Sequence, residues 1–408
     1  MYFNQSNSNL DYDLVIVGGG IVGTTLAAAL KNSDLRIAII EALPLAATLN
    51  RQRAYALSLL SGRIFTEIGV WTEIFAKIAN FSQISLSDAD YKQSVQFNTR
   101  DLNTNYLGYV AEHEPLLTTL QAFVQDCPHI EWLTAEVLNI DYQESKANLR
   151  VNMGGEIKDI STLLVVGADG AKSRIREWAQ IATRGWKYWQ SCVTFLIKHE
   201  ALANNVAFER FWTTGPMGIL PLPGNRCQIV WTLPHTEAMK VKELTSEQFM
   251  DRLARHLPES LGKCELINNP QVFPVQLMQS KSYVKPRLAL IGDAAHCCHP
   301  VGGQGLNLGI RDAGALAQVI NKAYQEGLDI GNISVLRKYE HWRKLENLTI
   351  LGFTDLLDRL FSNDWVPIVI FRRFGMLLMA NIQLLKVEVL KLMTGLKGKA
   401  PQINNFPL

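Results

Sequence analysis

Four short, branched and almost unbroken apolar runs stand out along the chain: Leu14 to Val17, Leu35 to Ile40, Leu163 to Ala168 and Leu288 to Ile291. Such runs predict buried parallel strands, covered on both faces. Ile21 to Leu30 has the small, apolar content of a helix packed on a sheet. With its flanking runs it makes a strand-helix-strand unit of roughly 30 residues, the minimum for a dinucleotide site. Residues 55–78 carry Leu59, Ile64, Ile68 and Phe75 near helical spacing and predict a helix. Pro115 to Val124 predicts another, opened by a proline in its first turn. Residues 81–109 contain alternating, strand-like pieces, and Ser191 to Leu233 breaks into β-hairpins at glycine, proline and asparagine. The last stretch, from Trp365 onward, is apolar with a helical period, punctuated by Arg372, Arg373, Lys386, Lys391, Lys397 and Lys399.

This pattern divides the chain. Residues 1–80, 110–180 and 285–350 are expected to form a discontinuous nucleotide-binding α/β domain. Residues 81–109 and 181–284 form a β-rich layer over the ligand, and 351–408 a C-terminal helical region. The tail has two readings: helices that close the core, or a basic amphipathic surface resting on a membrane.

Composition narrows the function. At 408 residues with 48% hydrophobic content the chain has ample material for a core. A formal charge of +2 gives no electrostatic case for nucleic acid. The six cysteines include no C-x-x-C pair, which fits reduced thiols in a cytoplasmic-type compartment. Cys297 and Cys298 are expected to be packing residues. The start, MYFNQSNSNLDYD, is polar and lacks the basic residues of an export signal. No uninterrupted run of about 18 apolar residues predicts a membrane span.

The chemistry-bearing motifs lie at opposite ends. Gly18-x-Gly20-x-x-Gly23 follows a predicted strand and opens a predicted helix. Gly18 permits a tight turn, Gly20 lets amides approach a pyrophosphate, and Gly23 lets helix and strand pack closely. Glu41, ending the second strand, is placed to accept from an adenosine ribose, and its charge disfavours a 2′-phosphate; FAD or NAD fits, NADP does not. Asp169-Gly170 and Gly292-Asp293 each follow a strand. Asp293 is placed to accept from ribityl hydroxyls. Gly302, Gly303 and Gly305 let backbone crowd an isoalloxazine ring, and helix amides beginning near Leu306 and Asn307 face negative charge on it. Metal ligation is not expected.

The run His299-Pro300-Val-Gly302-Gly303-Gln304-Gly305-Leu-Asn307-Leu-Gly309-Ile-Arg-Asp312 resembles the H-P-x-[AG]-G-Q-G-x-N-x-G-x-x-D signature of the class A flavin-dependent aromatic hydroxylases, within them the ubiquinone-biosynthesis hydroxylases. Arg53-Ala-Tyr-Ala-Leu57-Ser58 resembles their R-x-x-A-L-S segment, and Phe211 to Trp231 their substrate sheet. One departure is Glu114, which stands where the family often carries an arginine near the flavin. The resemblance implies an FAD domain of the glutathione-reductase and p-hydroxybenzoate-hydroxylase type, a β-sheet substrate domain and C-terminal helices. It implies FAD as cofactor, NAD(P)H as a transiently bound reductant and dioxygen as co-substrate. A flavin hydroperoxide would hydroxylate a lipophilic, prenylated phenol. It also implies peripheral contact with the inner, cytoplasmic face of a membrane and partners in a quinone-synthesis complex. Arg53 is a candidate contact for FAD or for the reductant's phosphates. His299 is a candidate catalytic acid or base, or a residue that shapes the loop beside the flavin, with Pro300 near the ring's edge; Phe195, Phe211 and Trp231 are candidates for the aromatic or prenyl pocket, or for ordinary sheet core. Two other readings stand beside this one: a hydroxylase or epoxidase of another lipophilic compound, and a low-turnover flavoprotein scaffold. The W-x-W-x-I-P element of flavin halogenases is absent.

Overall fold

The computed structural model describes residues 10–88, 91 and 93–403; most of the polar start read above lies outside them. Tyr12–Val17 is the centre of an eight-stranded sheet, with Ile37–Glu41 and Glu156–Gly167 parallel on either side. Val15 is level with Val165 on one side and Ala38 on the other. Ile130–Thr134 and Leu288–Leu290 extend the sheet in parallel, and an antiparallel pair, Glu136–Tyr142 and Ala147–Met153, folds back along Glu156–Gly167. Leu14, Val15, Ile16 and Leu164 to Val166 are all inaccessible, as strands covered on both faces must be. The helix Ile21–Ala29 packs on the sheet and against both His113–Gln125 and Gln304–Gln325. Strands 12–41, 130–167 and 284–290 thus share one sheet although they are far apart in the chain.

A nine-stranded sheet lies beside it, in the order His296–Cys297, Gln271–Ser280, Thr183–His199, Arg226–Pro234, Gly215–Leu222, Val206–Trp212, Gln83–Asp88, Ser94–Asn98, with Cys264–Leu266 also paired to Thr183–His199. The junction between sheets is tied by a bidentate Arg226–Glu112 pair at 2.9 and 3.0 Å and by Gln228, whose amide oxygen accepts from the Ala54 N–H at 3.0 Å.

Three expectations change. The helix expected over 55–78 is a strand followed by two helices. Ala54–Leu57 pairs antiparallel with Gly108–Glu112, so its backbone is taken up by a ladder. Ser58 then caps Leu59–Ile68, accepting from Ser61 N at 3.2 Å, and Gly69 ends that helix at φ +97° before Trp71–Phe75 begins. Second, the helix Ile333–Phe361 runs straight through the boundary expected at 350/351, because Asn347, Ile350, Leu351 and Thr354 are one continuous buried stripe.

Third, the C-terminal helices, Val366–Asn381 and Gln383–Thr394, form as expected but do not present a free basic face. Arg372 is buried in a bidentate pair with Asp88 at 2.9 and 3.2 Å, and Arg373 reaches the same carboxylate at 3.3 Å. Lys386 pairs with Asp101 at 3.0 Å, and Lys391 and Lys397 share Glu388. What these helices expose is apolar: Trp365, Ile370, Phe371 and Phe374 are each more than half accessible. No single helix among the described residues is long and apolar enough to cross a membrane; the two C-terminal helices meet that test only together and are bent by 100°.

Candidate active site

The glycine turn forms because side chains have no room there. Gly18 has φ +112°, and a Cβ on it would lie 2.4 Å from the Ala168 oxygen. A Cβ on Gly23 would lie 2.0 Å from the Gly18 oxygen, so the helix Ile21–Ala29 sits directly on the turn. Gly20, its N-cap, faces open space. The amide donors of that first turn point into a cleft of about 430 Å³. Glu41 lies at the end of its strand and accepts from Gly19 N at 2.8 Å and Leu43 N at 3.1 Å.

The far wall comes from the other end of the chain. Gly292 has φ +59°, and its N–H donates to Asp312 at 3.1 Å. Asp312 is wholly buried, with His296 at 2.5 Å, Arg343 at 2.9 Å and Asn347 at 3.0 Å around it. Burial alone would raise its pKa; the His296 and Arg343 charges and these hydrogen bonds overcome that and hold it at about 2. The Gly-Asp turn is thereby anchored to the helix Ile333–Phe361. Arg176 clamps it from the opposite side, donating to Ala294 O at 2.8 Å and to Ala171 O at 3.0 Å. Asp293 projects into the cleft. Crowding by the protein raises its pKa, with His296 and Arg53 pulling the other way. Arg53, its guanidinium 4.0 Å from the centre of the Phe273 ring, lines the same cleft together with Arg51.

Gly302 and Gly303 lie in the left-handed region at φ +63° and +60° and turn the chain into the helix Gln304–Gln325. This helix begins at Gln304, earlier than the expected start near Leu306 and Asn307, so the amides of 304–306 are its unpaired first turn. Asn307 spends its side chain on structure: it accepts from Ser58 N at 2.8 Å and Ser61 Oγ at 2.7 Å, and donates to Ala56 O and Gly303 O, both at 2.8 Å.

A second cavity of about 160 Å³ opens on the other side of this loop. Its walls are almost entirely apolar, including Phe81, Phe97, Phe211, Leu220, Leu357 and Met393. The two cavities share Ala56, Leu220, Val230, Pro300, Gly303 and Gln304 as a common wall. The apolar one continues to Met379, Val389 and Leu390 on the C-terminal helices.

The structure therefore brings Gly20, Arg53, Asp293, Pro300, Gly303, Gly305 and Leu306 to one cleft. Gly18, Gly23 and Gly292 shape its walls from behind, Gly302 and Asn307 face the apolar cavity, and Asp169 accepts from Ile175 N at 3.2 Å beneath the turn that places Gly170 and Ala171. His299 is a correction. It lines neither cavity: it is fully buried, its Nδ1 accepts from Val301 N at 3.4 Å, and its Nε2 lies 3.5 Å from Asp358 against the edge of Tyr188. Burial holds it at about 4, neutral near pH 7, so it is a positioning residue for the loop. Phe195 and Trp231 are a second correction. They pack on Phe249 and His256 in the opposite layer, and only Phe211 of the three lines the apolar cavity. The helix His113–Gln125 turns the Glu114 side chain outward; its cleft-lining residue is His113. All six cysteines are free, and burial pushes Cys297 up to about 12, as suits a packing residue. Motif reading held Asp312 as the last residue of the signature without giving it a role, and missed Arg51, Arg343 and Glu209. The last was signalled by alternation, which sets it on the same strand face as Ala207 and Phe211.

The cleft fits FAD by what it lacks and what it offers: a turn with no room for Cβ atoms, two helix N-termini and an acidic side chain in the wall. Comparison with known proteins agrees. The FAD binding domain family matches residues 11–347. The chain is 52% identical to uncharacterized protein slr1300 of Synechocystis sp., over 96% of this chain and 95% of that one. It is 33% identical to the ubiquinone hydroxylase UbiL of Rhodospirillum rubrum, over 89% and 85%. Its fold is shared with the crystal structure of p-nitrophenol 4-monooxygenase PnpA from Pseudomonas putida (TM-score 0.81, 17% identity, 95% of this chain and 98% of that one). The chain belongs to the FAD-dependent aromatic monooxygenases, in the family of the ubiquinone-biosynthesis hydroxylases.

Proposed function

We propose that this monooxygenase hydroxylates the aromatic ring of a prenylated phenol on the route to ubiquinone or a related quinone. The observation that carries the reading is the shared wall of the two cavities. One is long and polar at the glycine turn. The other is apolar and adjoins it along a wall of Ala56, Leu220, Val230 and the loop Pro300–Gln304. FAD in the first cavity, reduced by NAD(P)H, supplies the activation of dioxygen. The chain's own residues do the rest. Gly20 and the helix behind it receive the pyrophosphate, Glu41 the adenosine ribose, and Asp293 the ribityl hydroxyls. The amides of Gly305 and Leu306 would lie against the flavin ring and favour negative charge on it. Arg53 and Arg51 give the phosphates of FAD or of the reductant a cationic wall. The phenol ring lies at Pro300 and Gly303, and its prenyl tail runs past Phe97 and Leu357 toward Met379 and Leu390. The apolar lining excludes water from the reacting ring.

The C-terminal helices support peripheral association with a membrane. Their exposed Trp365, Ile370, Phe371 and Phe374 lie on the same helix pair that lines the far end of the apolar cavity, so a tail leaving a bilayer has a short path to the site. Similarity to the ubiquinone hydroxylase UbiL favours a quinone precursor. Deleting the gene and extracting the lipids tests the reading. A prenylated phenol lacking one ring hydroxyl should accumulate; an unchanged quinone and precursor profile would refute it.

A further inference from the structure

Glu209 is the one ionisable side chain among the described residues that line the apolar cavity. It lies in the middle of Val206–Trp212, between Ala207 and Phe211 on the strand's inward face, level with Gly218 on one neighbour and Leu86 on the other. Phe81, Phe97 and Phe211 share the cavity with it. The glycine at 218 leaves space at its flank: even a Cβ built there would stop 3.6 Å from its Oε2. Three other acids buried or nearly so each have a fixed cationic partner. Asp88 has Arg372, Asp312 has Arg343 and His296, and Asp329 has Arg287. Glu209 has no ion pair among the described residues. The one protein group that favours its charged form is the Gly302 N–H, on the loop that separates the cavities. A half-buried carboxylate without a counter-ion costs stability, and a purely structural role does not offset that cost.

We infer that the Glu209 carboxylate receives the substrate's phenol O–H. It fixes the ring beside the Pro300–Gln304 loop and draws the proton as the ring is hydroxylated. In that step the phenol O–H bond breaks, its electron pair stays on the phenol oxygen, and an O–H bond forms on Glu209. The ring gains electron density where an electrophilic oxygen must add. The proton returns to the phenol oxygen of the product before release. The inference rests on the prenyl-phenol reading above and assigns that site its proton acceptor.

Electrostatics suit the role. Burial pushes the Glu209 carboxyl up to about 7, with the Gly302 N–H opposing the rise. A carboxylate at about 7 is far better matched to a phenol near 10 than one at about 4. The surrounding elements bring no competing charge into the cavity. Arg210 on the same strand is not among its lining residues; Asp88 is held by Arg372 and Arg373, and Asp358 stands against His299. Asp355 pairs with Arg359, and Lys391 and Lys397 with Glu388; none of these lines the cavity.

The test uses the FAD-loaded full chain, 2-geranylphenol and its methyl ether. In binding titrations without reductant, wild type should hold the phenol about tenfold more tightly well above pH 7 than well below it, because only the ionised carboxylate accepts strongly. The methyl ether, with no O–H to give, should show no such dependence. In Glu209→Gln the phenol's pH dependence should vanish while FAD content stays at the wild-type value and the thermal midpoint is not lowered. With NAD(P)H and dioxygen, the variant's product formation should fall about a hundredfold. A ring-fluorinated geranylphenol already ionised at the assay pH should recover most of that loss, whereas a merely structural role predicts no recovery. Wild-type hydroxylation with an unaltered profile in Glu209→Gln would overturn this inference alone. A wild type that neither binds nor hydroxylates geranylphenol would overturn the function reading with it.

Discussion

The site depends on a few residues whose effect comes from space or from charge. Gly23 is the clearest case of space, because any Cβ there meets the Gly18 oxygen at 2.0 Å. Gly23→Ala is expected to destabilise by about 2 kcal/mol, within the range for overpacked sites, and to lower retained FAD. Urea unfolding and flavin absorbance of the purified variant check both. Asp312 is the case of charge. Its folded pKa of about 2 lies below its unfolded value, so its contribution is full above the unfolded pKa and is lost as pH falls through the folded one. That contribution is about 2 kcal/mol between about pH 5 and pH 2. Asp312→Asn should lose stability near neutrality and show a flatter decline across that window; an identical decline would contradict the role given to the carboxylate. At this scale the sequence was readable wherever function comes from a missing side chain, as at Gly18, Gly20 and Gly23. It was not readable for His299, which resembles a catalytic histidine until burial behind Asp358 and Tyr188 is seen. Glu209 was hidden for the opposite reason: one acid in FERFW looks like a solvated strand position until the neighbouring strands are placed.

Elements were legible where their own periodicity decides them and illegible where a distant partner does. Four of the parallel strands and the helix after the glycine turn follow from local pattern alone, whereas Ile130–Thr134 does not stand out until it pairs with Ile37–Glu41. Ala54–Leu57 has a helical neighbourhood in sequence but is claimed by Gly108–Glu112, so pairing overrides propensity. The C-terminal helices were visible, yet the neutralisation of their basic residues was not, since Asp88 and Asp101 lie almost 300 positions upstream. Two expectations follow at this scale. Asp88→Ala strands a buried guanidinium and should cost about 3–5 kcal/mol; hydrogen exchange should show Val366–Asn381 loosened. The paired change Phe371→Glu and Phe374→Glu leaves the cleft untouched. It should abolish flotation with liposomes while the flavin spectrum is unchanged; equal recovery with lipid would remove these helices from the membrane account.

The whole molecule couples two sheets through one loop. Both sheets line the cofactor cleft, the nine-stranded sheet and the C-terminal helices line the apolar cavity, and the Pro300–Gln304 segment touches both cavities. Because FAD binds between segments that only the folded chain brings together, it stabilises by mass action. At a hundredfold excess over its dissociation constant the gain should be about 2.7 kcal/mol, seen as a higher thermal midpoint for loaded than for stripped protein. The central claim is that this architecture places dioxygen chemistry against a lipophilic phenol. It is tested most directly by supplying the FAD-loaded protein with NAD(P)H, isotopically heavy dioxygen and a short-chain prenylated phenol, then weighing the product. The account predicts a ring-hydroxylated phenol carrying a single heavy oxygen atom; reductant consumed with the phenol recovered intact and unlabelled would contradict it.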